Sequence, residues 1–172
     1  MNISNFEIIV RDNIPNNYKE QIFEFEKNTF ENVYRRCPKT IEEFDNRYKN
    51  RNLRIVMCVS NNQLLGFRLF EIFNKSQVQS MFMVVKEDFR GMKISNLICS
   101  TSSEYFKLQG FKYISSWTHI SITASKIMAK YAPYVSTADN LDETEKKLLN
   151  EFELRAGKPI GFYGLKRKVL NF

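Results

Sequence analysis

One stretch of the chain, residues 81–110, places a strand, a short turn and a helix in direct succession. The residues MFMVV are typical of a strand, and KEDF is typical of a polar turn. A helical pattern follows over 94–109 and ends at Gly110. The first backbone N–H groups of a helix have no partner within the helix, and the helix dipole makes that end partly positive. The succession therefore predicts an anion-binding site that suits a pyrophosphate.

The turn itself reads Arg90-Gly91-Met92-Lys93-Ile94-Ser95 and resembles the pyrophosphate-binding signature R/Q-x-x-G-x-G/A of the GNAT acyltransferases. Val85 ends the preceding strand, as a valine does in that family. Lys93 stands where the family usually has glycine, and Ser95 where it has glycine or alanine. A lysine still offers its backbone N–H, and its ammonium group can help to neutralise phosphate. A plain strand-turn-helix connection is the alternative, since short glycine motifs also arise by chance.

The length and composition bound the architecture. A chain of 172 residues with 43% hydrophobic residues is predicted to form one domain, residues 1–172, with a substantial core. No run approaches the ~18 apolar residues of a membrane span. The N-terminal sequence lacks the basic region and apolar core of a secretory signal. We therefore expect a cytoplasmic protein without a membrane partner.

The net charge of +7 suits a phosphorylated cofactor or an acidic partner. The basic residues are spread along the chain without a nucleic-acid-binding motif, so no nucleic-acid partner is expected. Three cysteines, Cys37, Cys58 and Cys99, and a single histidine do not make a metal-binding pattern, so no metal is expected. Cys58 and Cys99 fall in a predicted strand and helix, and we interpret both as small core residues.

Hydrophobic periodicity predicts the elements. Predicted strands span 6–11, 53–60, 64–73, 78–85, 111–118 and 161–170. Predicted helices span 18–30, 41–49, 94–109, a segment from Ser121 or Thr123 to 131, and 141–156. Thr40 and Glu43 form a capping box. Gly66 marks a bulge or a close backbone approach. The strands 78–85 and 111–118, joined through a helix, are expected to be parallel neighbours.

This order of elements is that of the GNAT fold, so the resemblance extends over most of the chain. It implies an α/β (α+β) fold with a mixed, mostly antiparallel sheet of six or seven strands. One parallel pair is splayed, and helices cover both faces of the sheet. A fold alone does not establish a function. The anion-binding turn in the expected place is what supports one.

The resemblance implies transfer of an acyl group, in the first place acetyl, from coenzyme A to a primary amine of a small molecule by direct attack. Acetyl-CoA would be the co-substrate, with no metal. In the family, the strand before the turn leaves its parallel neighbour at a bulge, and its backbone pairs with the pantetheine arm. The corresponding positions are Met83, Val84 and Val85. The pyrophosphate would meet the backbone of Arg90, Gly91, Met92, Lys93, Ile94 and Ser95.

The resemblance also suggests proton-transfer groups. A tyrosine near the end of the helix after the fifth strand often protonates the departing thiolate, and Tyr131 is the candidate, with a packing tyrosine as the alternative. For the base, His119 follows the strand 111–118 at the end where ligands collect, and its ordinary pKa near 6.5 suits proton transfer. Glu71 is the second candidate, and a chain of water molecules is the third possibility.

The acceptor site is implied only loosely. Its candidates are Tyr34, Arg35, Arg36, Tyr48, Tyr134 and Arg155. Two other readings of the same fold stay open: an acyltransferase that takes its acyl group from an acyl carrier protein, and a non-catalytic module that binds CoA or a partner. An unrelated α/β binding protein is the remaining alternative. Sequence leaves open whether the protein is a monomer or a homodimer.

Overall fold

A computed structural model gives the fold, and it describes residues 6–30, 37–119, 134–136 and 163–169, with Glu143, Lys146, Lys147 and Asn150. The described strands form one sheet in the order β1-β2-β3-β4-β5-β7-β6. Only the β4–β5 pair is parallel among these strands. The strands are β1 (Glu7–Asp12), β2 (Leu53–Ser60), β3 (Gln63–Ile72), β4 (Gln77–Val85), β5 (Tyr113–His119), β6 (Tyr134–Ser136) and β7 (Tyr163–Val169).

The described helices are α1 (Lys19–Phe30), α2 (Ile41–Tyr48) and α3 (Ile94–Leu108). Short 3₁₀ turns at Asn16–Tyr18 and Glu87–Phe89 lead into α1 and toward α3. None of the helices that the structure describes is long and apolar enough to cross a membrane.

Two hydrophobic clusters lie on opposite faces of the sheet. On one face, Ile22, Phe44 and Tyr48 of α1 and α2 pack on buried β2 and β3 residues such as Ile55 and Phe67. On the other face, α3 packs on the sheet through its fully buried apolar residues. These are Ile94, Ile98 and Phe106. The predicted mixed sheet with helices on both faces is therefore confirmed.

Several local features also follow the sequence. The Thr40 hydroxyl accepts from the Glu43 backbone N–H at 3.2 Å, which is half of the predicted capping box. The Glu43 carboxylate accepts from the backbone N–H of Lys39 instead of that of Thr40. Asn61 and Asn62 both have positive φ in the β2–β3 turn, which matches the twist of a hairpin.

The region after β5 differs from the expectation. The short strand β6 was not predicted, because Tyr134–Ser136 follows Pro133 and precedes a polar segment. Three residues carry too little periodicity to indicate a strand, and pairing with β7 defines this one. The predicted helix up to residue 131 lies outside the described residues. Glu143, Lys146, Lys147 and Asn150 are helical, within the predicted segment 141–156.

Gly66 is placed where β4 approaches β3 closely. A Cβ at this position would lie 2.9 Å from the Val84 carbonyl oxygen and 3.2 Å from the Val85 Cα. The β2–β3 register also shifts beside it, between Cys58 and Val59. Both expectations for Gly66, a bulge and a close approach, are confirmed.

We predict that Gly66→Ala lowers the free energy of unfolding by roughly 1–3 kcal/mol, because the added methyl must push apart two central strands. Urea denaturation monitored by circular dichroism measures the change. The exposed Gln63→Ala in the same strand serves as control and should change it by less than about 0.5 kcal/mol. Equal stability of Gly66→Ala and the wild type would contradict the steric account.

Candidate functional site

The parallel ladder between β4 and β5 is short. It runs from Gln77 opposite Tyr113 to Ser80 opposite Ser116. Beyond Ser80 and Ser116, β4 stays paired with β3 while the end of β5 pairs with β7. The two strands therefore part after Ser80. We call the opening between Met81–Val85 and the end of β5 the splay.

A bulge coincides with the start of the splay. Leu69 lies opposite Phe82, but the next residue, Phe70, lies opposite Ser80, so Met81 is an extra residue in β4. An extra residue bends its strand and increases the local twist, so the strand changes direction at that point. The bulge implied by the resemblance is present. The bulge lies two residues before Met83, at a position that was not predicted from the sequence.

Met83, Val84 and Val85 line the open part of β4. The Met83 side chain is 40% exposed, and its sulfur lies 3.8 Å from the Cys99 Sγ of α3. Val84 is buried with the α1 and α2 cluster, and Val85 packs on the α3 cluster. Their side chains are thus anchored on both faces, while the edge toward β5 has no ladder partner within the described residues. That edge can pair with an extended ligand.

The turn after β4 explains the unusual lysine of the motif. Gly91 has φ 84° and Lys93 has φ 62° and ψ 11°, so both adopt the left-handed conformation. This conformation costs an L-residue roughly 1–2 kcal/mol and costs glycine almost nothing. The family's preference for glycine at the Lys93 position therefore has a backbone cause. Here a lysine carries the same geometry at an energetic cost.

Five consecutive backbone N–H groups lie at the start of α3. Those of Gly91, Met92, Lys93, Ile94 and Ser95 donate to no residue that the structure describes. Lys93 occupies the N-cap position without a side-chain capping bond, and Ile94, 1% exposed, anchors the first turn of α3 in the core. The N–H groups and the helix dipole together make an anion-binding cradle at the open end of the splay.

The charges near the cradle sit at the surface. The Arg90 guanidinium lies 3.4 Å from the Glu87 carboxylate, and both side chains are largely exposed. Such a surface pair contributes little to stability. Arg90 can therefore leave Glu87 for a phosphate at small cost. Lys93 is also exposed, so a second cation stands beside the cradle.

Arg68 is a charged group near this site that was not predicted from the sequence. It lies in β3 opposite Met83 and donates to hydroxyls on β4 and β5, those of Ser80 and Ser116. Burial lowers the pKa of the Arg68 guanidinium, and its interaction with the Cys99 thiol acts in the opposite direction. An arginine inside the apolar run LLGFRLFEIF was the available signal.

The three catalytic candidates are not brought together at the cradle. His119 is the last residue of β5, opposite Tyr163 of β7, at the open side of the splay. Glu71 lies opposite Gln79, in the part of the sheet where β4 and β5 are still paired, and its carboxylate forms an ion pair with Arg51 at 2.8 Å. Tyr131 lies outside the described residues. The roles of all three stay predictions.

One acceptor candidate has a different role. Tyr48 is 7% exposed, and its hydroxyl donates to the buried Glu26 carboxylate at 2.7 Å, beside Arg47 at 2.6 Å. Tyr48 therefore ties α2 to α1 inside the core, and its assignment to the acceptor site was wrong. Residues 31–36 and Arg155 lie outside the described residues. No cluster of three or more metal-ligating side chains occurs in the described part of the chain.

The cysteines also separate by environment. Cys58 has no exposed surface, and burial raises the pKa of its thiol, as expected for a core residue. Cys99 is only partly buried, and its sulfur faces Arg68 at 3.5 Å. The interpretation of Cys99 as a core residue was therefore wrong. Its side chain borders the splay.

We predict that a thiol reagent such as dithionitrobenzoate modifies one cysteine of the native protein rapidly. Cys99 is the partly exposed thiol, whereas Cys37 and Cys58 are buried and should react only on unfolding. The absorbance of the released chromophore measures the rate of each phase of the reaction. Cys99→Ser should remove the fast phase, and Cys58→Ser, its matched control, should leave it. A fast phase that survives Cys99→Ser would contradict the assignment.

No protein-family model and no curated protein matches the sequence. Solved structures do match the fold. An acetyltransferase of the GNAT family from Staphylococcus aureus Mu50 superposes with a TM-score of 0.66 at 16% identity, covering 96% of this chain and 100% of that one. The aminoglycoside 6'-acetyltransferase type Ii superposes with a TM-score of 0.67 at 14% identity, covering 95% and 98%.

A third structure, N-acetylglutamate synthase from Neisseria gonorrhoeae complexed with coenzyme A and N-acetyl-glutamate, has a TM-score of 0.68 at 11% identity. It covers 94% of this chain and 35% of the longer synthase. The likeness at such low identity lies in the three-dimensional arrangement of the chain. This chain has the fold of the GNAT acetyltransferases.

Proposed function

We propose that this protein transfers an acyl group from coenzyme A to a primary amine of a small molecule. The cradle of five N–H groups from Gly91 to Ser95, which have no partner among the described residues, carries this proposal. It stands at the open end of a splayed β4–β5 pair, so a pyrophosphate and an extended pantetheine arm would have adjacent places. One of the solved structures that share this fold is a synthase crystallised with coenzyme A.

In this proposal the backbone holds the donor. The N–H groups of the cradle bind the pyrophosphate oxygens, and the exposed Arg90 and Lys93 side chains add only a weak, solvent-screened attraction. The unpaired edge of Met83–Val85 pairs with the amides of the pantetheine arm. An N–H group near the Met81 bulge is suited to stabilise the oxyanion of the tetrahedral intermediate, since such donors act best when fixed in advance.

The attack itself needs a neutral amine. The nitrogen attacks the thioester carbonyl carbon, the C–S bond then breaks, and the thiolate takes a proton while the amine loses one. We assign amine deprotonation to His119, directly or through water, and thiolate protonation to Tyr131. His119 is preferred over Glu71 because it ends β5 at the open side of the splay. Glu71 is held by Arg51 in the paired part of the sheet.

Calorimetric titration with acetyl-CoA tests the proposal. We expect a dissociation constant in the micromolar range or tighter, on the order of −8 kcal/mol or more favourable. Acetyl-pantetheine, which lacks the pyrophosphate and the nucleotide, should bind at least about tenfold more weakly. Absence of acetyl-CoA binding would reject the proposal.

An acyl carrier protein as donor is the alternative, and the net charge of +7 is compatible with such an acidic partner. The carrier would present phosphopantetheine without an adenine nucleotide. Titration with an acylated carrier protein distinguishes the two donors. Tight binding to the carrier with none to acetyl-CoA would favour the alternative, and binding of CoA without acyl transfer to any amine would favour a non-catalytic module.

The left-handed Lys93 allows a second test. Lys93→Gly should stabilise the protein by roughly 0.5–1 kcal/mol and keep acetyl-CoA binding within about threefold, because the backbone N–H is unchanged. Lys93→Val should destabilise it by about 1 kcal/mol or more and weaken binding about tenfold, because a β-branched residue resists this conformation. Thermal unfolding and calorimetry measure the two effects.

Lys112→Ala is the charge control for both variants. Lys112 is exposed and lies outside the turn, so its loss removes one positive charge without altering the cradle. If Lys93→Gly weakens binding tenfold and Lys112→Ala does not, the ammonium group of Lys93 contributes directly, and the proposed dominance of the backbone would be wrong.

A further inference from the structure

Arg68 crosses the base of the splay. Its Nε donates to the Ser80 Oγ at 2.9 Å and its Nη2 to the Ser116 Oγ at 3.3 Å. Ser80 and Ser116 are the last pair of the parallel ladder. The guanidinium therefore spans β4 and β5 at the point where they part, on the face of the sheet that α3 covers.

Every acceptor that the structure shows for this cation is neutral. Besides the two hydroxyls, Nη1 donates to the Cys99 Sγ at 3.5 Å, and the guanidinium carbon lies 4.8 Å from the centre of the Phe70 ring. The ion pairs of the described residues involve four other arginines and two lysines, and none includes Arg68. Among the described residues, three of its five N–H groups have an acceptor, which leaves two for a ligand.

The fold does not require a charge at this position. The hydroxyls of Ser80 and Ser116 would accept equally well from a neutral side-chain amide, and the fully buried Phe70 ring on the same face makes the surroundings apolar. Burial lowers the pKa of Arg68, which reports the same unfavourable environment for the cation. A partly buried cation without a counter-charge among the described residues favours the binding of a ligand anion, because the anion offsets the cost of removing the charge from water.

The place of Arg68 along the splay indicates which part of a ligand would reach it. Ser80 and Val85 lie about 17 Å apart along β4, at about 3.3 Å per residue. The cradle follows Val85 at the open end, and Arg68 lies at the closed end. A donor whose pyrophosphate occupies the cradle would extend its acyl group toward Arg68. This step rests on the proposed function.

We propose that Arg68 is a specificity-determining residue that binds a terminal carboxylate on the acyl group of the donor. The guanidinium fork matches a carboxylate in a bidentate arrangement, and its two remaining N–H groups supply the donors. The favoured acyl groups are short dicarboxylic half-thioesters, preferred over neutral acyl groups of the same length. Acetyl has no terminal carboxylate and serves as a neutral reference donor.

Calorimetry with length-matched pairs of donors tests this inference in the full chain. Malonyl-CoA is compared with propionyl-CoA, and succinyl-CoA with butyryl-CoA, while free CoA reports the cradle alone. We expect at least one dicarboxylic donor to bind tenfold or more tightly than its neutral partner. Arg68→Gln should abolish that preference and leave the affinity for free CoA unchanged. Arg68→Lys should retain part of the preference, because it keeps the charge but loses the fork.

The outcomes separate the two proposals. Equal affinities within both pairs, with free CoA still bound, would overturn the role of Arg68 and leave the proposed function intact. Failure of free CoA to bind would overturn both. The comparison of donors on the wild-type protein needs no variant, so a folding defect in Arg68→Gln cannot hide the result. Thermal unfolding of each variant identifies such a defect.

Discussion

The early end of the parallel β4–β5 ladder is the constraint on which the rest of this structure depends. Only four residue pairs join the two strands before the bulge at Met81 turns β4 away. A longer ladder would close the splay and satisfy the edge of Met83–Val85. It would also change the direction in which β4 enters the turn, and with it the position of the cradle. The bulge thus links the sheet to the site.

So short a ladder is reinforced by side chains on both faces. On the α1 and α2 face, the buried Ser115 hydroxyl bonds the amides of Gln77 and Gln79 at 2.9 and 2.7 Å. On the α3 face, Arg68 bonds Ser80 and Ser116. Buried polar groups need such hydrogen-bond partners. Here the bonds of Ser115 join β5 to β4, and the bonds of Arg68 join β3 to both of these strands. The hydrogen bonds that hold the junction place a cation at the base of the splay.

The backbone supplies most of the proposed donor site. The cradle uses N–H groups from Gly91 to Ser95, and the splay uses an unpaired strand edge, so side-chain identity matters mainly through the conformations it permits. This explains how a lysine can replace the usual glycine of the motif. The solved structures with this fold are only 11–16% identical to this chain. Side chains such as Arg68 are then available to set which acyl group is accepted.

The sequence by itself determined the order of the elements from β1 to β5, the parallel pairing of β4 with β5, and the turn at Arg90–Ser95. Hydrophobic periodicity, the capping residue Thr40 and the glycine turn are local signals, so they can be read from neighbouring residues. Only the tertiary structure decided the bulge at Met81, the short strand β6 and the environments of Cys99, Tyr48 and Arg68. Each of these depends on which distant residue lies opposite, and strand register and burial are set by packing across the whole sheet.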